Sequence, residues 1–372
     1  MKWALSSVAA MMGVAGLAAS ATAGLQLSLL KTINLSGAVD PASPSRLGTN
    51  INAVAWTGGQ LYVGGWNGSG GALSVGFSEI LTPLTTPTQG ARLGTLTAPS
   101  GRGYTGMATQ GGVLAASADT GAAIAGGYSA WNTATNTNRF NATLRGFTGP
   151  AFDPGFAGSA PSAGNIAYSS TGSGRRGVLN NADGSIIYSL GGANAGLIWN
   201  NIAPPTGPGS NNRDLAFDPA TGDVYGRAGN AIIKAPRTGE NSAGAQSLIF
   251  VNYGSGGQVV ASNTNSQNLA FMNRLGGNVI LFNDRPAGAT TGSITGTVKA
   301  INTVGVVQTI NWGGFDISSG TGAFDFSYDA ATDTVAVADY SNSNVYIFAV
   351  PAPAGAAVLA LGGLMAARRR RA

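Results

Sequence analysis

Phe326-Ser-Tyr-Asp-Ala-Ala-Thr-Asp-Thr334-Val-Ala-Val-Ala-Asp339-Tyr-Ser-Asn-Ser-Asn-Val345-Tyr-Ile-Phe348 reads as short strands joined by tight turns. The apolar runs are β-branched and aromatic and only four to six residues long, which is strand length. The breaks are built from Ala, Thr, Ser, Asn and Asp, and the Asn and Asp in them can adopt positive φ or bond their own backbone.

The same unit recurs upstream. Ile51 to Trp56 is followed by Thr-Gly-Gly-Gln and then Leu61 to Trp66. Gly106-Met-Ala-Thr precedes Gln-Gly-Gly and Val113. Asn165-Ile-Ala-Tyr168 is followed by Asn181-Ala-Asp-Gly-Ser and Ile186. Leu215-Ala-Phe-Asp leads through a turn to Val224, and Asn268-Leu-Ala-Phe271 to Val279. A small residue ahead of each turn sits at Ala55, Ala108, Ala167, Ala216, Ala270 and Ser327, a period of about 54. Repeats of roughly 40–50 residues with four strands each mark β-propeller blades. The expectation is an all-β propeller of about six blades, with five to seven allowed. Outer strands fall at Ala231 to Lys234 and Val345 to Phe348, and Leu25 to Leu30 pairs into the final blade to close the ring. A large β-sandwich or β-helix is the competing arrangement of such hairpins. Disorder is the competing state of a chain with 58 Gly, but 44% hydrophobic content in strand-sized runs opposes it.

The 372-residue chain contains no Cys and no His. That excludes a Cys nucleophile, a Ser-His-Asp triad and a His/Cys zinc site. Formal net charge is +5, yet Lys2 and Arg368 to Arg371 account for all of it. Residues 24–350 balance 15 positive with 15 negative charges, so the body offers no basic surface for nucleic acid.

Both ends read as targeting segments. Lys2 followed by the mostly apolar Trp3 to Leu17 and the small-x-small site Ala21-Thr-Ala23 has the layout of a signal peptide over residues 1–23, with Ala19-Ser-Ala21 as a second cleavage site. An uncleaved N-terminal anchor is the alternative. At the other end, Val350 to Ala367 is 18 residues, and as a helix it spans roughly 27 Å, close to a bilayer core. Arg368, Arg369, Arg370 and Arg371 follow and hold the end in the cytoplasm. A buried C-terminal helix is the alternative, but the run lacks amphipathic periodicity.

Val350-Pro351-Ala-Pro353, the hydrophobic span and the four arginines resemble a PEP-CTERM sorting signal, with Ala where that family carries Glu. Its Pro-Ala-Pro-Ala form is similar to tails of planctomycete proteins. The resemblance covers residues 350–372 and implies an exported protein handled by a signal peptidase and an exosortase-like membrane protease. Residues 24–349 then form the body, and Asp329 to Phe348 resembles one blade of the YVTN-like surface propellers.

Other motifs read as backbone features. Gly101-Arg-Gly-Tyr-Thr-Gly106 and Gly172-Ser-Gly-Arg-Arg-Gly177 match a dinucleotide fingerprint but lack its strand-to-helix setting and read as turns. Asp218 with Asp223, and Asp329 with Asp333, bracket turns. Calcium is the cation they would take, and a self-capping Asx turn is the simpler reading. Trp56, Trp66, Trp131, Trp199 and Trp312 could stack on sugars or fill blade cores.

The function expected is an envelope or matrix binding or structural module, with extracellular polysaccharide as a candidate partner, no resident cofactor or metal and no catalytic residue assigned. The alternative is a secreted hydrolase or lyase using Asp, Arg or Tyr in the funnel. Intact mass of the protein from its own host should correspond to a chain lacking residues 1–23 and the arginine tail. A mass retaining both ends would overturn the sorting reading.

Overall fold

The computed structural model describes residues 24–35, 50–57, 59–66, 75–81, 87–95, 103–119, 123–135, 137–146, 149–156, 163–169, 176–189, 212–228, 231–239, 242–243, 247–251, 268–274, 277–284, 297–317 and 323–351. The regular elements there are strands, as expected. The signal segment with Ala21 and Ala23, and the tail from Ala352 with Pro353 and Arg368 to Arg371, lie outside the described residues. No helix among the described residues is long and apolar enough to cross a membrane.

Strands β1 (Leu25–Gln26) and β2 (Ser28–Asn34) come first. Strands β3 (Asn50–Trp56), β4 (Gln60–Trp66), β5 (Val75–Leu81) and β6 (Pro87–Thr95) form an antiparallel meander. A second comprises β7 (Gly103–Gln110), β8 (Val113–Asp119), β9 (Ile124–Asn132) and β10 (Thr137–Leu144). The pair Trp66↔Gly103 joins these two into one eight-stranded sheet. The third unit is β11 (Ala151–Phe152), β12 (Ile166–Ser169), β13 (Arg176–Leu179) and β14 (Ile186–Ser189). In the fourth, β15 (Asn212–Phe217), β16 (Val224–Ala228) and β17 (Ala231–Ala235) are followed by a small hairpin of β18 (Arg237–Gly239) and β19 (Ser242–Ala243), then by the outer strand β20 (Ser247–Val251). The fifth is β21 (Leu269–Met272), β22 (Val279–Asp284), β23 (Thr297–Asn302) and β24 (Val307–Gln308). Strand β25 (Ile310–Asn311) pairs in parallel with β1. Last come β26 (Ala323–Asp329), β27 (Thr334–Asp339) and β28 (Asn344–Ala349), with β2 as their outer strand.

The architecture is an all-β propeller. It counts as five blades by continuous sheets, or six four-stranded units once the eight-stranded sheet is divided at Trp66↔Gly103. Strands β3, β7, β11, β15, β21 and β26 adjoin one another in turn around an axis.

Alternation along each strand builds the core, since successive side chains point to opposite faces. On β27, Val335 and Val337 pack toward the fifth unit, while Ala336 and Ala338 pack toward the first. Six buried clusters lie between consecutive units, and the one holding Ile33, Ile51, Trp56 and Ile347 joins last to first. Closure completes the last blade and leaves only short outer edges. A closing strand is present but lies further along than the expected Leu25 to Leu30: Ser28–Asn34 pairs with β28, with Leu29 facing Phe348 and Ile33 facing Val345, while Leu25 and Gln26 pair with Ile310 and Asn311.

Two expectations need correction. Ala167 lies on β12, the second strand of its unit, paired with Ala151 of the innermost β11. That inner strand is only two residues long and carries no alternating signal, so the stronger Asn-Ile-Ala-Tyr run masks it. In the first fingerprint, Gly103 to Gly106 lie on β7 and are not a turn.

Phe348 is fully buried, with its ring 5.5 Å from that of Trp312. Phe348→Ala should cost about 3–5 kcal/mol and lower the urea midpoint correspondingly. The exposed neighbour Leu30→Ala should change it by less than about 0.5 kcal/mol.

Candidate functional site

The inner strands surround a funnel of about 450 Å³. Its floor holds Asp214 of β15 and Asp325 of β26, and its mouth carries Gln110, Asn273, Tyr328 and Asp329.

The floor residues staple one inner strand to the next. Asp214 Oδ1 accepts the N–H of Leu215 at 2.9 Å, and Oδ2 that of Leu269 at 2.8 Å on β21. Asp325 repeats the pattern, with Phe326 at 2.9 Å and Val54 of β3 at 2.6 Å. Asn268 Nδ2 donates across the axis to the Thr105 carbonyl at 3.3 Å and also supports Asp325. Asn52 of β3 donates to the Tyr104 carbonyl on the neighbouring β7. Close approach depends on glycine: a Cβ on Gly149 would stand 2.4 Å from Asp214 Oδ1.

Burial pushes the Asp325 carboxyl up to about 7, against the pull of the Val54, Asn268 and Phe326 donors. Asp214 is held well above the usual carboxylate range, first by burial and then by the charge of Asp325. Two such groups cannot both ionise cheaply, so Asp214 keeps its proton when Asp325 loses one.

The carboxylates of the bracketed turns are already engaged. Asp218 Oδ1 accepts the Ala220 N–H at 2.9 Å, and Oδ2 accepts from Asn278 at 3.3 Å. Asp223 receives the Arg237 N–H at 2.9 Å and pairs with Lys234 at 2.9 Å. Asp329 accepts from Ala331 N and Thr332 Oγ1. The Tyr328 hydroxyl donates to Asp333 Oδ1 at 2.6 Å. Among the described residues, no three of Asp, Glu, His or Cys gather as a metal site.

Trp56, Trp131 and Trp312 are buried in the cores between blades, with Trp56 also bordering a cavity beside the funnel mouth. The Trp66 side chain and Trp199 fall outside the described residues. Of the tail residues, Val350 packs in the last core and donates to the Asp333 carbonyl, and Pro351 is exposed.

A second cavity, of about 340 Å³, opens beside the mouth between the first and second units. It shares Thr109, Gln110, Tyr328 and Asp329 with the funnel, and its lining includes Gln60 and Thr133.

Sequence reading did not single out the floor residues. Their signal is an Asp or Asn two places before the repeated small residue: Asp214-Leu-Ala216, Asn268-Leu-Ala270 and Asp325-Phe-Ser327. Asn165-Ile-Ala167 has the same pattern, but on a second strand. There Asn165 Oδ1 accepts the Asn181 N–H instead.

No protein-family profile matches the chain, and no curated protein matches it. Among solved structures it is similar to the WD40 β-propeller domain of Doa1, at 13% identity and a TM-score of 0.44, covering 81% of this chain and 79% of that one.

The floor pair sets a pH dependence. Asp325 titrates near 4 when unfolded and near 7 when folded, so the native state holds more protons between these values. Stability should therefore fall as pH rises from about 4 to about 7. Asp325→Asn should flatten this slope while costing about 1–3 kcal/mol, because its amide meets an N–H that needs an acceptor. Urea midpoints at pH 4.5, 6 and 8 check both effects, and an unchanged slope in the variant would refute the assignment.

Proposed function

We propose that the protein is an exported propeller that serves as a binding module at the cell surface or in the extracellular matrix. Its ligand seats at the funnel mouth, and its route depends on the leader ending at Ala23 and the PEP-CTERM-like tail. The observation that carries the reading is the division of labour in the funnel. The floor carboxyls are engaged by backbone donors, while the mouth presents amides, a phenol ring and a carboxylate to an open cavity. Such a lining binds polar, uncharged groups without chemistry. The neutral body and the lack of Cys and His support it. Extracellular polysaccharide is the partner class this lining suits.

The test is calorimetric titration of the chain with host envelope polysaccharides. Gln110→Trp, which fills the mouth, should weaken binding at least tenfold without shifting the thermal midpoint. Turnover of a glycan or phosphoester would overturn the reading.

One observation favours a second reading, a hydrolase or lyase. Asp214 and Asp325 form a coupled pair with raised proton affinity, as acid/base work requires. Turnover abolished by Asp214→Asn or Asp325→Asn in a folded protein would establish it.

A further inference from the structure

The C-terminal tail leaves the propeller at one end of the last blade. Strand β28 finishes at Ala349, opposite Ser28, where β2 begins. That end lies at the funnel mouth, because Ala349 also faces Thr334, just past the turn from Asp329 to Asp333. Val350 N–H donates to the Asp333 carbonyl at 2.8 Å, and Asp329 lines the mouth. Strand β2 thus runs away from the mouth as β28 runs toward it.

The mouth face carries an independent mark. Val304 is 69% exposed and Val306 57%, the first and third most exposed large apolar residues among those described. Both lie on the turn between β23 and β24. Val279↔Asn302 pairing puts that turn on the same side as Asn273, which lines the funnel. It belongs to the fifth unit, next to the blade from which the tail leaves.

We propose that the funnel-mouth face is the membrane-apposed face of the propeller, with a lipid bilayer surface as its partner while the tail is present. The proposal rests on the reading of residues 350–372 as a membrane segment. Five residues, Pro351 to Gly355, separate Val350, which is packed in the core, from the uninterrupted apolar stretch Ala356 to Ala367. Fully extended they reach at most roughly 17 Å, so the sixth blade cannot turn its far side to the bilayer while the tail is inserted. Val304 and Val306 then meet the headgroup layer, where exposed apolar side chains gain burial. The funnel opens toward the surface that holds the protein and draws its ligand from there. Release of the tail frees the mouth to face outward.

The absence of Cys makes the test direct. Ala331→Cys places a single thiol on the mouth side, and Ser341→Cys places one on the turn between β27 and β28 at the opposite side. Both positions are exposed. The seven residues of β26 put the two sides roughly 23 Å apart. Each full-length variant carries a fluorophore and is reconstituted into vesicles of phosphatidylcholine and phosphatidylglycerol with headgroup nitroxides. Quenching should be at least threefold stronger at position 331 than at 341, and Val304→Asp with Val306→Asp should reduce it. Equal quenching, or stronger quenching at 341, in vesicle-bound protein overturns the orientation and leaves the tail reading standing. A chain that stays in the aqueous phase overturns both. Disulfide coupling of two copies through position 331 would make the mouth a self-association face and also refutes the proposal.

Discussion

The pairing of β2 with β28 holds the ring together. Every other unit is a meander of strands close in sequence, and each needs only its neighbours' side chains to bury its faces. The last unit is completed by residues more than 300 positions earlier in the chain. Without that strand, β28 has an open edge, and the cluster that joins Ile33 to Ile347 loses one wall. The closing contact is non-local, so its loop-closure entropy must be offset by contacts that form only when the chain is complete. The site, the axial bonds and the exit of the last strand all presuppose it.

The axis is where closure becomes chemistry. Bringing inner strands together leaves backbone N–H groups near the centre that the sheets do not satisfy, and an unpaired buried donor is costly. Asp214 and Asp325 supply acceptors for Leu269 and Val54, at the cost of burying carboxyls that resist ionisation. The same two residues tie neighbouring inner strands together through their backbone acceptor bonds. They also give the funnel a floor that is polar yet already occupied by backbone donors.

Much of this is written locally. Turn residues and alternating runs identify the strands around Trp56, Phe217, Phe271 and Phe348, because local backbone preference and period-two burial act over a few residues. The third unit is the exception. Its inner strand, Ala151–Phe152, is too short to carry a period, and the legible Asn-Ile-Ala-Tyr run belongs to β12. The Asp-x-small spacing at Asp214 and Asp325 is visible in the chain, but its meaning is not. Asn165 shares it and faces a loop, since which strand lies innermost depends on neighbouring blades.

By itself, the sequence determined strand class, repeat period, charge balance and the absence of Cys and His chemistry. Each follows from residue type or from short-range spacing. Only the tertiary structure decided which carboxyls meet at the axis, that the tryptophans Trp56, Trp131 and Trp312 are core, and that the last strand ends beside the funnel mouth. Those facts are set by contacts between residues tens to hundreds of positions apart, and no local propensity encodes how a ring closes.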